Sequence, residues 1–479
     1  MSYDLFMNKE LDGRLPFVRI NKIELTNFKG VKHGELELNG YKEYIPFDTK
    51  SDILGLYGQN GSGKSSVVDA LNVIKGLLSG FKLGNPFVKF IDVDSEYAII
   101  KVEFDFQFRD GRRAPVIYSV KLSKSEKCDT ETDEDNNVQT QEYCLHISDE
   151  TLHTKIYADN TIRRSHPIIN TTDELFCGDT AASYFFGEKY SSIKEELIYL
   201  KRKSYEDGRS FVFNPKLAEL LHSSGVISNY SELLVELYMY ATRFLHIVGT
   251  RSSGLVQLRV GIPLFLPFLN RPLLLAQDQP VPAEFNEPIK VAFEQINTVV
   301  GSLIPDLQLS IKTTPTTLKN GKPGIYVNIL SIRENSENAF PFEYESDGII
   351  KIVCILADYI VAFNQGSTTL VVDEFDSGVF EYLLGELLQI FESAGKGQFI
   401  FTSHNLRPLE VIDKKFIRFT TADPYDRYYK LPNVSGTNNL RDLYLRSVQI
   451  GGQDVEIYRK TKSFKMIKAL IKAGEGYLK

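Results

Sequence analysis

The sequence predicts an α/β fold built around a phosphate-binding loop, with a mixed and antiparallel β subdomain and a helical insertion. Three segments far apart in the chain predict it: Gly58-Gln59-Asn60-Gly61-Ser62-Gly63-Lys64-Ser65, Val371-Val372-Asp373-Glu374 and Phe401-Thr402-Ser403-His404. Each follows or contains an apolar run suited to a strand buried on both faces of a parallel sheet.

The elements follow in chain order. Val18 to Leu25 alternates like an edge-side strand, and Gly34 to Leu38 repeats the pattern after Asn27-Phe28-Lys29-Gly30. Ile53 to Tyr57 supplies a buried strand, and Ser66 to Ile74 a helix with Val67, Ala70, Leu71 and Ile74 on one face. Between them the loop fits G-x-x-x-x-G-K-[ST]. Gly58, Gly61 and Gly63 let the backbone wrap so that several N–H groups face one phosphate chain, and the helix N-terminus adds partial positive charge. Lys64 is placed to reach the β- and γ-phosphates of a nucleoside triphosphate, and Ser65 to ligate Mg²⁺.

Tyr97 to Phe108 reads as a strong strand with Ala114 to Leu122 as its hairpin partner, and Ser123 to Asn137 as a solvated, mobile acidic loop. From about 150 to 305 the composition turns helical, with Ser191 to Lys203, Asn229 to Phe244 and Pro288 to Leu303 as candidate helices. Pro263, Pro267, Pro272, Pro280 and Pro282 exclude one long coiled coil there. Strands return at Leu307 to Thr313 and Gly324 to Ile332, around the Asn320-Gly321 turn signal. Phe464 to Ile471 reads as an amphipathic helix stopped by Gly474. The expected division is 1–125 (first half of the nucleotide domain), 126–306 (acidic loop and helical insertion), 307–425 (second half) and 426–479 (contacts with partners or subunits).

An acidic pair at a strand end is by itself often a solvated loop or a cap. Here Asp373-Glu374 follows a P-loop and precedes a second buried strand, Gln398 to Thr402, that ends in Ser403-His404. In that setting the first carboxylate holds a Mg²⁺ hydration shell, the second polarises the attacking water, and the histidine senses the γ-phosphate. Lys64 and Asp373 are 309 positions apart, so about half the chain lies between them. Near the end of that interval Glu345-Ser346-Asp347-Gly348 opens an apolar helix, a second turn able to bind phosphate through backbone amides. Since the P-loop already holds one triphosphate, this second cradle would act on a nucleotide bound to another subunit.

Composition sets bounds on partners and location. The chain has 479 residues, 43% hydrophobic and 24% charged, and a net charge of −7, which implies no general affinity for nucleic acid. The polar N-terminus lacks the apolar core of a signal peptide, and the longest apolar stretch, Ile349 to Phe363, contains Lys351 and Asp358 and is too short to cross a bilayer. Cytoplasmic residence without membrane contact is expected. Cys128, Cys144, Cys177 and Cys354 form no C-x-x-C pair.

Taken together these motifs resemble ABC-type ATPase heads of the SMC/RecF/OLD-like group, over roughly residues 1–125 and 310–420; the opening pattern from Ile20 to Gly30 is also typical of that group. The resemblance implies that two heads sandwich two ATP molecules, each between the P-loop of one and the signature turn of the other. It implies Walker A at Gly58, Asn60, Gly61, Ser62, Gly63, Lys64, Ser65 and Ser66, and a signature at Ser346 and Gly348. Walker B falls at Asp373 and Glu374, a D-loop at Ser377 and Gly378, and a switch histidine at His404. Lys64, Glu374 and His404 are then the catalytic set and Ser65 and Asp373 the Mg²⁺ ligands; the Q-loop glutamine is not placed, Gln107 being no more than a candidate. Glu345 and Asp347 stand where transporters have Leu and Gly, which argues against a transporter subunit.

The interval lacks long heptad arms and a Cys-x-x-Cys hook, and the 75 residues after His404 are too few for a fused Toprim nuclease. The chain therefore resembles the ATPase subunits of anti-phage systems, of the PARIS AriA or Septu PtuA type. That implies an ATP-hydrolysing sensor and scaffold, a homo-oligomer of head-to-head dimers, a separate nuclease effector of Toprim type and a phage-encoded trigger protein. The alternative is a RecF- or SMC-like repair ATPase that binds nucleic acid directly, through a basic stripe drawn from Arg163, Arg164, Lys201, Arg202 and Lys203.

Overall fold

A computed structural model of the chain describes residues 17–38, 50–108, 112–126, 143–154, 166–172, 175–226, 228–249, 262–264, 273–276, 278–334, 338–430, 439–450 and 463–477. Strands β1 (Phe17–Phe28), β2 (Val31–Glu37) and β3 (Asp52–Tyr57) lead into helix α1 (Lys64–Leu78). Strands β4 (Tyr97–Gln107), β5 (Arg113–Glu126), β6 (Tyr143–Thr154) and β7 (His166–Asn170) follow. Helices α2 (Gly178–Phe186), α3 (Tyr190–Glu206), α4 (Pro215–Ser224) and α5 (Asn229–Met239) then run, through one π turn (Tyr240–Phe244), into β8 (Leu245–Val248). Short strands β9 (Ile262–Leu264), β10 (Leu273–Leu275) and β11 (Val281–Pro282) precede α6 (Asn286–Leu303), the hairpin β12 (Leu307–Thr317) and β13 (Pro323–Arg333), and β14 (Phe340–Pro341). The chain continues through α7 (Asp347–Asn364), β15 (Thr369–Val372), α8 (Glu381–Ala394), β16 (Gln398–Ser403), α9 (Pro408–Val411), β17 (Ile417–Thr420), β18 (Tyr428–Tyr429), α10 (Leu440–Ile450) and α11 (Ser463–Tyr477).

The architecture is α/β: a mostly parallel sheet that carries the phosphate-binding loop, packed with helices and an antiparallel β layer. One six-stranded sheet has the order β18-β17-β3-β16-β15-β8, parallel apart from β18. Every residue of β3, β15 and β16 is buried, which is why these strands read as unbroken apolar runs in the sequence. The other six-stranded sheet is antiparallel, ordered β2-β1-β4-β5-β6-β7; β1, read as an edge-side strand, lies instead inside the sheet, because its alternation pairs it with β2 on one side and β4 on the other. Its strands alternate, with Ala98, Ile100, Val102, Phe104 and Phe106 of β4 turned to the core. Helix α1 buries Val67, Val68, Ala70, Leu71, Ile74, Leu77 and Leu78 in a cluster that takes residues from both sheets, including Leu25 and Phe104 on one side and Leu54, Val371 and Ile400 on the other. The P-loop helix is thereby clamped between two layers.

The stretch expected to be helical holds α2 to α6, but strands too. β6 and β7 extend the antiparallel sheet, and β8 completes the parallel one beside β15. β6 escapes a period-two reading because a core position is held by Glu150, and its register against β5 shifts between Lys121 and Leu122. The buried Glu150 carboxylate is satisfied by the hydroxyls of Tyr118 (2.6 Å) and Ser210 (2.6 Å) and the N–H of Phe211 (2.8 Å). Burial nonetheless holds its acid dissociation above the ordinary carboxylate range. Regular α-helix from Asn229 stops at Met239, and Gly474 does not end the terminal helix, which runs to Tyr477. Most of the acidic stretch read as a loop, from 127 onward, lies outside the described residues, as do Arg163 and Arg164. No helix among the described residues is long and apolar enough to cross a membrane.

Candidate functional site

Because β3, β15 and β16 run parallel and in register, with Val372 beside Phe401 and Ser403 beside Tyr57, their carboxyl ends open at one place. The P-loop leaves β3 there, Asp373 and Glu374 leave β15, and His404 leaves β16. This is where parallel α/β sheets bind ligands.

Gly58 opens the loop at φ 154°, and a Cβ on it would collide with the Thr420 hydroxyl. That hydroxyl hydrogen-bonds Ser62 Oγ and donates to the Tyr57 carbonyl (3.2 Å), so β17 braces the loop from below. Tyr428 donates its hydroxyl to the Gly63 carbonyl at 2.9 Å. Asn60 and Gly61 are exposed at the loop tip, whereas Ser66 is buried on α1. Lys64 is only 6% exposed, and its ammonium folds back to donate to the carbonyls of Gly58 (2.8 Å) and Gln59 (3.0 Å). Burial pushes its pKa down to about 8, against the pull of Asp373, Glu374 and Asp376.

Ser65 Oγ donates to Asp373 Oδ1 at 3.2 Å, so the hydroxyl and carboxylate oxygens lie close enough to share one divalent cation. Thr402 Oγ1 donates to the same Asp373 oxygen (2.6 Å) and accepts from the Glu374 N–H (2.7 Å), tying both acidic residues to β16. Glu374 holds a left-handed φ of 48°, uncommon for a residue with a side chain. Asp376 Oδ2 accepts from the N–H groups of His404 (3.0 Å) and Asn405 (2.9 Å), fixing the histidine at the strand end. Partial burial, and next the Lys64 ammonium, hold His404 below its ordinary pKa, which favours the neutral ring at pH 7.

Ser346 and Gly348 form a second cluster. Ser346 is exposed and caps α7, its hydroxyl accepting from the Ile349 N–H (3.4 Å). A Cβ on Gly348 would overlap the Gly378 carbonyl, so the Ser346-Gly348 turn packs on the exposed Ser377-Gly378 turn of the same chain. Gln107 ends β4 opposite Phe17 and Arg113. The structure thus gathers Lys64, Ser65, Asp373, Glu374 and His404 at one strand-end site, and Ser346, Gly348, Ser377 and Gly378 beside it.

Sequence reasoning missed Thr402, Thr420, Asp376 and Lys351. The threonines carried a signal, being polar β-branched residues at the carboxyl ends of buried strands. Lys351 carried another, as a charge inside an apolar helix. Asp376 had none beyond its proximity to the acidic pair.

Residues 22–209 match the family model described as an AAA domain. No curated protein matches the chain. Among solved structures it is similar to an SMC head from Thermotoga maritima (13% identity, 86% of this chain and 99% of the other, TM-score 0.34). It is similar too to an Smc head with an extended coiled coil bound to the C-terminal domain of ScpA from Pyrococcus furiosus (14%, 87% and 96%, TM-score 0.38). A third is the ATP-bound recombination mediator RecF (12%, 81% and 94%, TM-score 0.31).

Proposed function

We propose that this chain binds and hydrolyses ATP at a site completed by a second copy of itself. The observation that carries the reading is the strand-end cluster: Lys64 folded across the P-loop, and Asp373 bonded by both Ser65 and Thr402. Lys64 would exchange the Gly58 and Gln59 carbonyls for phosphate oxygens, trading a neutral acceptor for an anion. Ser65 and Asp373 would hold Mg²⁺, which when bound neutralises charge on the phosphates. Glu374 would orient and polarise the attacking water, while His404, aimed by Asp376, would contact the γ-phosphate. The Ser346-Gly348 turn would serve the nucleotide of the second copy, so hydrolysis would separate the pair, neither half completing the catalytic shell alone.

In its finer form the reading is that of a cytoplasmic sensor and scaffold in anti-phage defence: ATP closes subunits head to head, the assembly holds a separate nuclease, and a phage product releases it. Support for this is the resemblance of the motifs, the acidic net charge and the absence of heptad arms from the sequence. Glu374→Gln tests the core of the reading. ATP turnover should fall by at least ~100-fold, the usual scale for losing a general base, while ATP-loaded dimers accumulate in native mass spectrometry. Turnover at the wild-type rate would remove Glu374 from the role of base, and a wild-type protein that neither binds nor hydrolyses ATP would end the proposal.

A further inference from the structure

Lys351 is a cation inside the apolar helix α7 and is only 3% exposed. Its ammonium donates to two main-chain carbonyls, that of Glu374 and that of Ser377 (3.2 Å). Both belong to one tight turn, closed by the Ser377 N–H on the Glu374 carbonyl (2.9 Å) and the Val379 N–H on the Asp376 carbonyl (3.1 Å). The turn begins with Glu374 in its left-handed conformation and ends at Gly378, against Gly348. The N-terminal two turns of α7 therefore grip this segment twice, through Lys351 and through Gly348. On its far side the segment is held by Thr402 at the Glu374 N–H and reaches His404 through Asp376. A shift of the α7 N-terminus cannot leave the Glu374 peptide in place unless the Lys351 bonds break.

We propose that Lys351 is a positioning residue that couples the Ser346-Gly348 turn to the Glu374 carboxylate within one chain. Docking of that turn on the nucleotide of a second copy then sets the hydrolytic geometry of its own site, and the two sites of a dimer respond to one another. This rests on the composite ATP site proposed above. Burial depresses the Lys351 pKa, while Asp376, Glu374 and Asp373 oppose that effect, as expected of an ammonium held dry among carbonyls and carboxylates.

The test compares Lys351→Met and Lys351→Arg with the wild type. In Lys351→Met, kcat should fall ~10- to 100-fold with the Kd for MgATP unchanged within ~3-fold, the pattern of an interaction that matters only in the transition state. The rise of specific activity with protein concentration should also vanish. Arginine can donate to both carbonyls and should restore kcat to within ~5-fold of wild type. A wild-type kcat and concentration dependence in Lys351→Met would overturn the proposal, as would losses of kcat and affinity of equal size. If that variant fails to fold, hydrogen exchange on Glu374→Gln decides: ATP should slow exchange in 346–352 and 373–379 together, and protection of one segment without the other would refute the coupling. Failure of the ATP-site reading is separately visible as a wild type without ATP binding.

Discussion

The Lys64 ammonium sits among carbonyls with little water, and its pKa of about 8 gives nucleotide binding a pH dependence of definite sign. A bound triphosphate favours the charged form, so the bound state keeps its proton while the free protein loses it as pH rises past 8. Affinity for ATP should be nearly flat below pH 7.5 and then fall, by up to ~10-fold per pH unit, until the bound-state pKa is reached. Calorimetry at pH 8.5 in two buffers of different ionisation heat should show net proton uptake, and Lys64→Met should abolish it. Identical uptake in that variant would assign the proton elsewhere. At this scale the sequence was most legible, because the P-loop, the acidic pair and His404 are written as local spacing. Asp376 was not legible, and the signal at Thr402 did not reveal its partner, since each acts through a partner 28 or 29 positions away in the chain.

Two turns meet closely where α7 begins. Gly348 touches the Gly378 carbonyl, so alanine at 348 must push the Ser377-Gly378 turn outward, an overpacking that typically costs ~1–3 kcal/mol. Gly348→Ala should shift the denaturant midpoint by that amount and depress ATP turnover more than ATP affinity, because the P-loop is untouched. A wild-type midpoint together with wild-type turnover would mean the turn yields freely. The helix start itself was legible as Ser346 followed by an apolar run, while its packing partner was not, there being no local mark of a 30-residue return. β6 shows the opposite case. Glu150 fills a core position for which the sequence offers only a charge, and its three donors come from β5 and from the segment after α3. The polar residue that pins the layer is the one that hid the strand.

For the whole molecule, the separation of 309 positions between Lys64 and Asp373 does not reveal how the segments around them knit together. β3, from the first half, lies between β16 and β17 of the second, and β8, from within the interval, edges the same sheet. Of the basic residues on which direct DNA binding would draw, the Lys201 ammonium donates to the Thr171 carbonyl, Arg202 pairs with Glu206 at 3.1 Å on the surface, Lys203 is exposed, and Arg163 and Arg164 lie outside the described residues. What joins the two layers is Gln398. Its amide accepts from the Ile20 N–H (2.8 Å) and donates to the Ile20 carbonyl (2.9 Å), while Thr369 and Asp52 also bond it. Arg19 adds bonds to the carbonyls of Gly366 (3.3 Å) and Lys50 (3.1 Å). Gln398→Leu fills similar space yet strands the Ile20 backbone groups in a dry interior, at a cost of about 2–5 kcal/mol. Because the staple spans both sheets, that loss should appear as faster hydrogen exchange in β1 and in β15 together, within one cooperative unfolding transition. Exchange that quickens in β1 alone would mean the antiparallel layer opens independently of the P-loop sheet.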